Sequence, residues 1–83
     1  MDSIAIIGAS SDRSKFGNKA VRAYKSEGFK VFPINPKESK IEELRCYKSV
    51  LDVNKKIDLA SLYLPPEIGV KVINEIAKKG IKQ

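Results

Sequence analysis

Ile4-Ala5-Ile6-Ile7 is an apolar, mostly β-branched run that stops at Gly8-Ala9-Ser10-Ser11. β-Branched side chains favour extended backbone, and a run that is apolar at every position belongs to a strand buried on both faces. A helical pattern follows from Gly17 to Glu27, with Ala20, Val21 and Tyr24 at helical spacing. A buried strand that delivers a glycine turn onto a helix start is how α/β proteins present backbone N–H groups to phosphate. This one stretch therefore constrains both the sheet and the chemistry of the ligand.

The remaining elements read in the same way. Gly8–Phe16 is a polar loop, and Gly28 is a natural stop for the first helix. Lys30–Ile34 is a second strand, ended at Asn35-Pro36-Lys37 because proline cannot continue a ladder. Glu38–Tyr47 reads as a charged loop with room for a short irregular turn. Lys48–Asn54 is expected to form about one helical turn, capped by Ser49. Asp58–Leu64 is a third, nearly continuous apolar strand, closed by Pro65-Pro66. Pro66 suits the first turn of a helix running to about Lys79, with Gly69, Val72, Ile73, Ile76 and Ala77 on one face and Gly80 as its stop. Glu27-Gly28-Phe29-Lys30-Val31 is echoed by Lys79-Gly80-Ile81-Lys82-Gln83, so a fourth strand is expected to start at Ile81. Right-handed crossovers then give a parallel sheet of order 2-1-3-4.

Composition narrows the function. With 83 residues the chain is one domain, 1–83, expected to be incomplete at its C-terminus. A chain this short buries only roughly 60–65% of its unfolded surface, so a ligand or a second copy would add needed stability. It has no run of 18 apolar residues, which excludes a membrane span. Met1-Asp2-Ser3 is acidic and enters a strand directly, unlike a signal peptide. One cysteine, Cys46, leaves no internal disulfide, and a cytoplasmic location is expected. There is no histidine, which removes histidine acid–base chemistry, a phosphohistidine and histidine-held metal. Arg45 and Lys48 flank Cys46, but with no histidine base the thiol is expected to be inert. Sixteen Lys and Arg against ten Asp and Glu give a net charge of +6, which suits a phosphorylated ligand. The basic residues are dispersed, which argues against nucleic acid.

In an open parallel sheet, ligands bind at the carboxyl ends of the strands. Three segments should therefore converge. Gly8, Ala9 and Ser10 offer a close backbone approach for a pyrophosphate, with Ser11 adding a hydroxyl. Arg13 and Lys15 lie in the same loop, and Gly17 keeps the helix entry open. The glycine spacing is not G-x-G-x-x-G. Asn35, Pro36 and Lys37 stand where an NAD site would carry a carboxylate for the ribose hydroxyls. A cation there suits an extra ribose phosphate, the 3′-phosphate of coenzyme A or the 2′-phosphate of NADP. Leu64, Pro65 and Pro66 form an apolar wall for an adenine or a pantetheine arm, and Tyr47 is expected to pack on the core.

These pieces resemble the coenzyme A-binding domain family. That Rossmann-like domain occurs as small stand-alone proteins and at the N-terminus of the succinyl-CoA synthetase alpha subunit and of ADP-forming acyl-CoA synthetases. The matching segments are Ile4–Ser10, Val31–Lys37, Cys46–Ser49 and Asp58–Pro66, in the family's order. The resemblance implies that Gly8, Ala9 and Ser10 cradle the pyrophosphate with Arg13 or Lys15. It implies that Asn35, Pro36 and Lys37 contact the adenosine and its 3′-phosphate, and that Leu64 and Pro65 flank the rest. Family members continue through a further strand, and the synthetases use a histidine that this chain lacks. The expectation is an α/β, Rossmann-like CoA- or acyl-CoA-binding protein that is not itself an enzyme. Its expected roles are carrier, sensor or binding subunit, alone, as a homo-oligomer or in a larger synthetase-like assembly. An NADP-binding oxidoreductase fragment and a protein-interaction module with open sheet edges are the alternatives.

Overall fold

A computed structural model describes residues 2–81. Its strands are β1 (Ser3–Ile7), β2 (Lys30–Ile34), β3 (Lys40–Ile41), β4 (Leu44–Arg45) and β5 (Leu59–Leu62). Its helices are α1 (Phe16–Ser26) and α2 (Pro66–Lys79), with a 3-10 turn at Val50–Asp52. β2, β1 and β5 form one parallel sheet in the order β2-β1-β5, the 2-1-3 order expected for the first three strands. β1 is central, and all five of its residues are buried. The fourth strand, expected to start at Ile81, falls beyond that residue on 82–83, outside the described residues. Ile81 itself is buried. No described helix is long and apolar enough to cross a membrane.

Strand alternation splits the core in two. Ile4, Ile6 and Val31 point to one face, where they meet Ala20 and Val21 of α1 and Ile41 of β3. Ala5, Ile7, Phe32 and Ile34 point to the other, where they meet Val50, Val53, Ile57 and Ile81. Val72 and Ile76 of α2 and Tyr47 pack against this second cluster. Pro33 sits inside β2, yet the ladder survives. β2 is an edge strand there, and its outer side is bridged by Tyr47, whose N–H donates to the Pro33 carbonyl and whose carbonyl accepts from the Asn35 N–H, so no partner needs a Pro33 N–H.

Three sequence expectations change. The Glu38–Tyr47 loop contains the β3–β4 hairpin, whose turn places Glu42 and Glu43 at φ of 48° and 67°. Two left-handed non-glycine residues make a tight hairpin turn, and nothing in Glu-Glu announces one. On α2, Ile73 is 57% exposed and Ala77 is also exposed, so the inward stripe is Gly69, Val72 and Ile76. The third strand is shorter than Asp58–Leu64 and only half-buried, because β5 is paired on the β1 side alone among the described residues. The expected Ser49 cap is present. Its Oγ accepts from the Leu51 N–H at 3.1 Å, over a 3-10 turn shorter than the Lys48–Asn54 segment.

Candidate functional site

β1, β2 and β5 end on the same side of the sheet, and a crevice of about 620 Å³ opens there. Gly8, Ala9 and Ser10 line it from β1, and Asn35, Pro36 and Lys37 from β2. Leu64 and Pro65 line it from the end of β5, and Lys15 from the start of α1. The three segments expected to converge do so.

Gly8 is irreplaceable on two counts. Its φ is +89°, and a Cβ there would stand 2.5 Å from the Tyr63 carbonyl oxygen. Its N–H and that of Ala9 both donate to the Ile34 carbonyl, at 3.0 and 3.3 Å, which ties the first loop to the end of β2. Asn35 adds a second tie, since its Nδ2 donates to the Ala9 carbonyl at 2.8 Å. Its Oδ1 accepts from the Lys37 N–H at 2.8 Å. The Asn35 side chain thus shapes both loops and is already committed. Asn18 is fully buried and supports Ser10 from behind, donating from Nδ2 to the Ser10 carbonyl at 2.8 Å. The same Nδ2 lies 3.0 Å from a Glu42 carboxylate oxygen, and Asn18 Oδ1 accepts from Arg22 Nε at 2.8 Å. At the α1 start, the Asn18 and Lys19 N–H groups both return to the Lys15 carbonyl. The N–H groups of Phe16 and Gly17, in the first turn, have no acceptor among the described residues.

Three expected site residues are not on the lining. Arg13 is off the lining, its guanidinium 3.8 Å from the Glu42 carboxylate. Gly17 is buried against the Gly8 carbonyl, where a Cβ would overlap that oxygen, so it serves the close packing of α1 on the β1 loop. Ser11 is also off the lining, its N–H donating to a Glu38 carboxylate oxygen at 2.9 Å. Cys46 is buried, and burial pushes its thiol up, which makes it a poor nucleophile.

The far wall is not announced by the sequence. Lys48, Ile68, Lys71, Val72 and Glu75 also line the crevice. On α2 these residues fall at i, i+3, i+4 and i+7, one stripe of the helix. Ser49 Oγ donates to Glu75 at 2.6 Å and draws that stripe toward the 3-10 turn. The only sequence signal was the spacing from Ile68 to Glu75, and it does not say which way the stripe faces. The crevice thus joins four lysines, 15, 37, 48 and 71, to one apolar wall of Leu64, Pro65, Ile68 and Val72. Among the described residues Glu75 is the one carboxylate on its lining.

The family described as CoA binding domain matches residues 2–83. The chain belongs to that family. An ADP-forming acetate–CoA ligase from Methanocaldococcus jannaschii is 46% identical over 80 residues, which are 96% of this chain and 11% of the ligase. A hypothetical protein from Pyrococcus horikoshii OT3 superposes with a TM-score of 0.94 at 32% identity, over 98% of this chain and 57% of that one. The dinucleotide-forming acetyl-coenzyme A synthetase 1 of Ca. Korarchaeum cryptofilum, solved with phosphate and ADP, gives a TM-score of 0.91 at 40% identity. That match covers 98% of this chain and 18% of the synthetase. This CoA-binding domain therefore spans a small fraction of the ligases it matches, and more than half of the smaller protein.

Proposed function

We propose that this chain binds coenzyme A or an acyl-CoA in the crevice at the carboxyl ends of β1, β2 and β5, as a binding module without catalytic groups of its own. The observation that carries the reading is the meeting of a backbone turn with four lysines on one lining. A pyrophosphate and a ribose phosphomonoester together carry roughly four negative charges at neutral pH. The turn through Gly8, Ala9 and Ser10 leaves room for the pyrophosphate, whose charge Lys15 and the Phe16 and Gly17 N–H groups of the α1 start suit. Lys37 suits the ribose phosphate, and Leu64 and Pro65 suit the pantetheine arm or the adenine. The ligase relatives support the choice of CoA over other phosphorylated ribosides. Glu38, the one carboxylate next to Lys37 in sequence, is engaged by Ser11 and lies off the lining, which disfavours unphosphorylated ribose hydroxyls as the recognised group. The role is that of carrier, sensor or binding part of a larger synthetase-like assembly.

Calorimetric titration with CoA, 3′-dephospho-CoA, NAD and NADP tests this. CoA is expected to bind, and at about 100 times its dissociation constant to add roughly 2.7 kcal/mol of stability. Lys37→Glu should weaken CoA most. A Lys37→Glu variant with full CoA affinity would overturn the site assignment, and stronger binding of NADP than CoA would move the reading to the dinucleotide.

A further inference from the structure

We propose that Lys48 and Lys71 form, with Lys37, a clamp for the ribose 3′-phosphate, and that the Ser49–Glu75 hydrogen bond positions it. This deepens the CoA reading and rests on it. Tyr47 is bridged in parallel to Ile34, so Lys48 leaves the ladder beside Asn35, at the end of β2 that carries Lys37. Both lysines line the crevice. Lys71 comes from the opposite direction, one helical turn before Glu75 on α2. Ser49 Oγ donates to Glu75 at 2.6 Å and so brings the α2 stripe against the residue that follows Lys48.

That bond has an electrostatic consequence. Glu75 shares the lining with Lys48 and Lys71 and is the carboxylate that would neutralise them. Its Oε1 accepts from the Ser49 hydroxyl, and among the described residues it is ion-paired with neither lysine, so both ammonium groups stay available to a ligand phosphate. The Gly8–Ser10 loop, with Lys15, makes a second pole on the β1 side of the same crevice. Two cationic poles on one crevice match a ligand with two anionic groups, a pyrophosphate and a phosphomonoester. The clamp therefore reads the phosphomonoester, and it adds affinity for CoA and little for a ligand without that group.

The test is a cycle between protein and ligand. Lys48 and Lys71 are exposed, so a Lys48→Ala/Lys71→Ala variant should fold, which its melting curve would show. It is expected to bind CoA at least about tenfold more weakly, and 3′-dephospho-CoA within about twofold of the unmodified chain. Equal losses for the two ligands, or no loss for either, would overturn the clamp and leave the CoA reading standing. An unmodified chain that binds neither ligand removes the CoA reading and the clamp with it. Ser49→Ala should weaken CoA selectively by releasing Glu75. Because Ser49 also caps the 3-10 turn, the deciding variant is Ser49→Ala/Glu75→Gln, which lacks the free carboxylate and should regain CoA affinity. No recovery would overturn the positioning role.

Discussion

On the β1 side of the crevice the wall is tied backbone to backbone as well as by side chains, whereas the α2 wall is joined to the 3-10 segment through side chains. The first loop is fixed by the Gly8 and Ala9 N–H groups on the Ile34 carbonyl, and by Asn35 and Asn18 on the carbonyls of Ala9 and Ser10. α2 is fixed to the rest by Ser49 on Glu75, by Lys79 on the Val53 carbonyl, and by apolar contact through Val72 and Ile76. A loop tied backbone to backbone and braced by two amide side chains is set before any ligand arrives, and a preformed wall needs no rearrangement on binding. A helix held through flexible side chains can follow the shape of what it meets. The first wall suits the invariant part of a nucleotide, its pyrophosphate, and the second suits the part that differs between ligands.

The largest effect should come from breaking the rigid wall at its centre. Gly8→Ala combines a left-handed φ of +89° with a Cβ placed 2.5 Å from the Tyr63 carbonyl oxygen. The conformational cost and the forced shift of backbone together should remove about 3 kcal/mol or more. Denaturant unfolding is expected to show a chain near the limit of folding, with CoA binding lost. Near-native stability would mean that the β1 loop is far softer than its hydrogen bonds imply.

Asn18→Ala comes next. The fully buried amide supports the Ser10 carbonyl and accepts from Arg22 Nε, and its loss strands both groups. A loss of about 2 kcal/mol is expected in unfolding experiments. Binding should weaken as well, because Ser10 lies on the crevice lining. A variant that loses stability but binds CoA as before would show that the loop keeps its shape without support from behind.

The same division explains what the sequence disclosed. Ile4–Ile7 and Gly8 announced a buried strand and a tight turn, because that wall is encoded locally by β-branching and a missing Cβ. The Ser49 cap and Pro66 at the α2 start were legible for the same reason. Lys48 and Lys71 were not. Their place on the lining depends on a bridge between Tyr47 and Ile34 and on the rotation of α2, both set by tertiary packing. The Glu42–Glu43 turn was hidden because its support comes from α1, through Asn18 on the Glu42 carboxylate and Lys25 on the Glu42 carbonyl. Arg13, near Ser10 in sequence, lies off the lining beside the hairpin carboxylate of Glu42, a position that depends on the hairpin rather than on the loop's own residues.

A milder change isolates the packing part of the Gly8 effect. Gly28, at the other end of α1, shares the φ of +89° but has nothing within 4 Å of the Cβ position. Gly28→Ala should therefore show the conformational cost alone, about 1 kcal/mol. The difference between the two variants measures how closely the β5 end presses on the first loop. Equal losses would mean that Tyr63 gives way and that the rigid wall ends at Gly8.

The smallest effect lies at the opposite end of the sheet, where a carboxylate rather than a glycine joins β1 to β5. The Ser3 N–H donates to Asp58 Oδ2 at 2.9 Å, and the Ser3 hydroxyl lies 3.1 Å from the same oxygen. The backbone and side-chain bonds from Ser3, in that order, hold the Asp58 carboxyl below the ordinary aspartate value of 3.8. A group lowered in this way binds protons more readily in the unfolded chain than in the folded one. Its contribution is therefore complete above the ordinary value and disappears as pH falls through the lower, folded value. Asp12 and Glu42 are lowered too and act with the same sign, so the unmodified chain loses stability in acid through several groups. Asp58→Asn keeps an acceptor for Ser3 and cannot titrate. Unfolding free energies measured from neutral pH down to about pH 3 should converge for the two chains in acid, with the unmodified chain ahead only at the upper end. Curves that stay parallel throughout would show that Ser3 holds β1 to β5 without help from the charge.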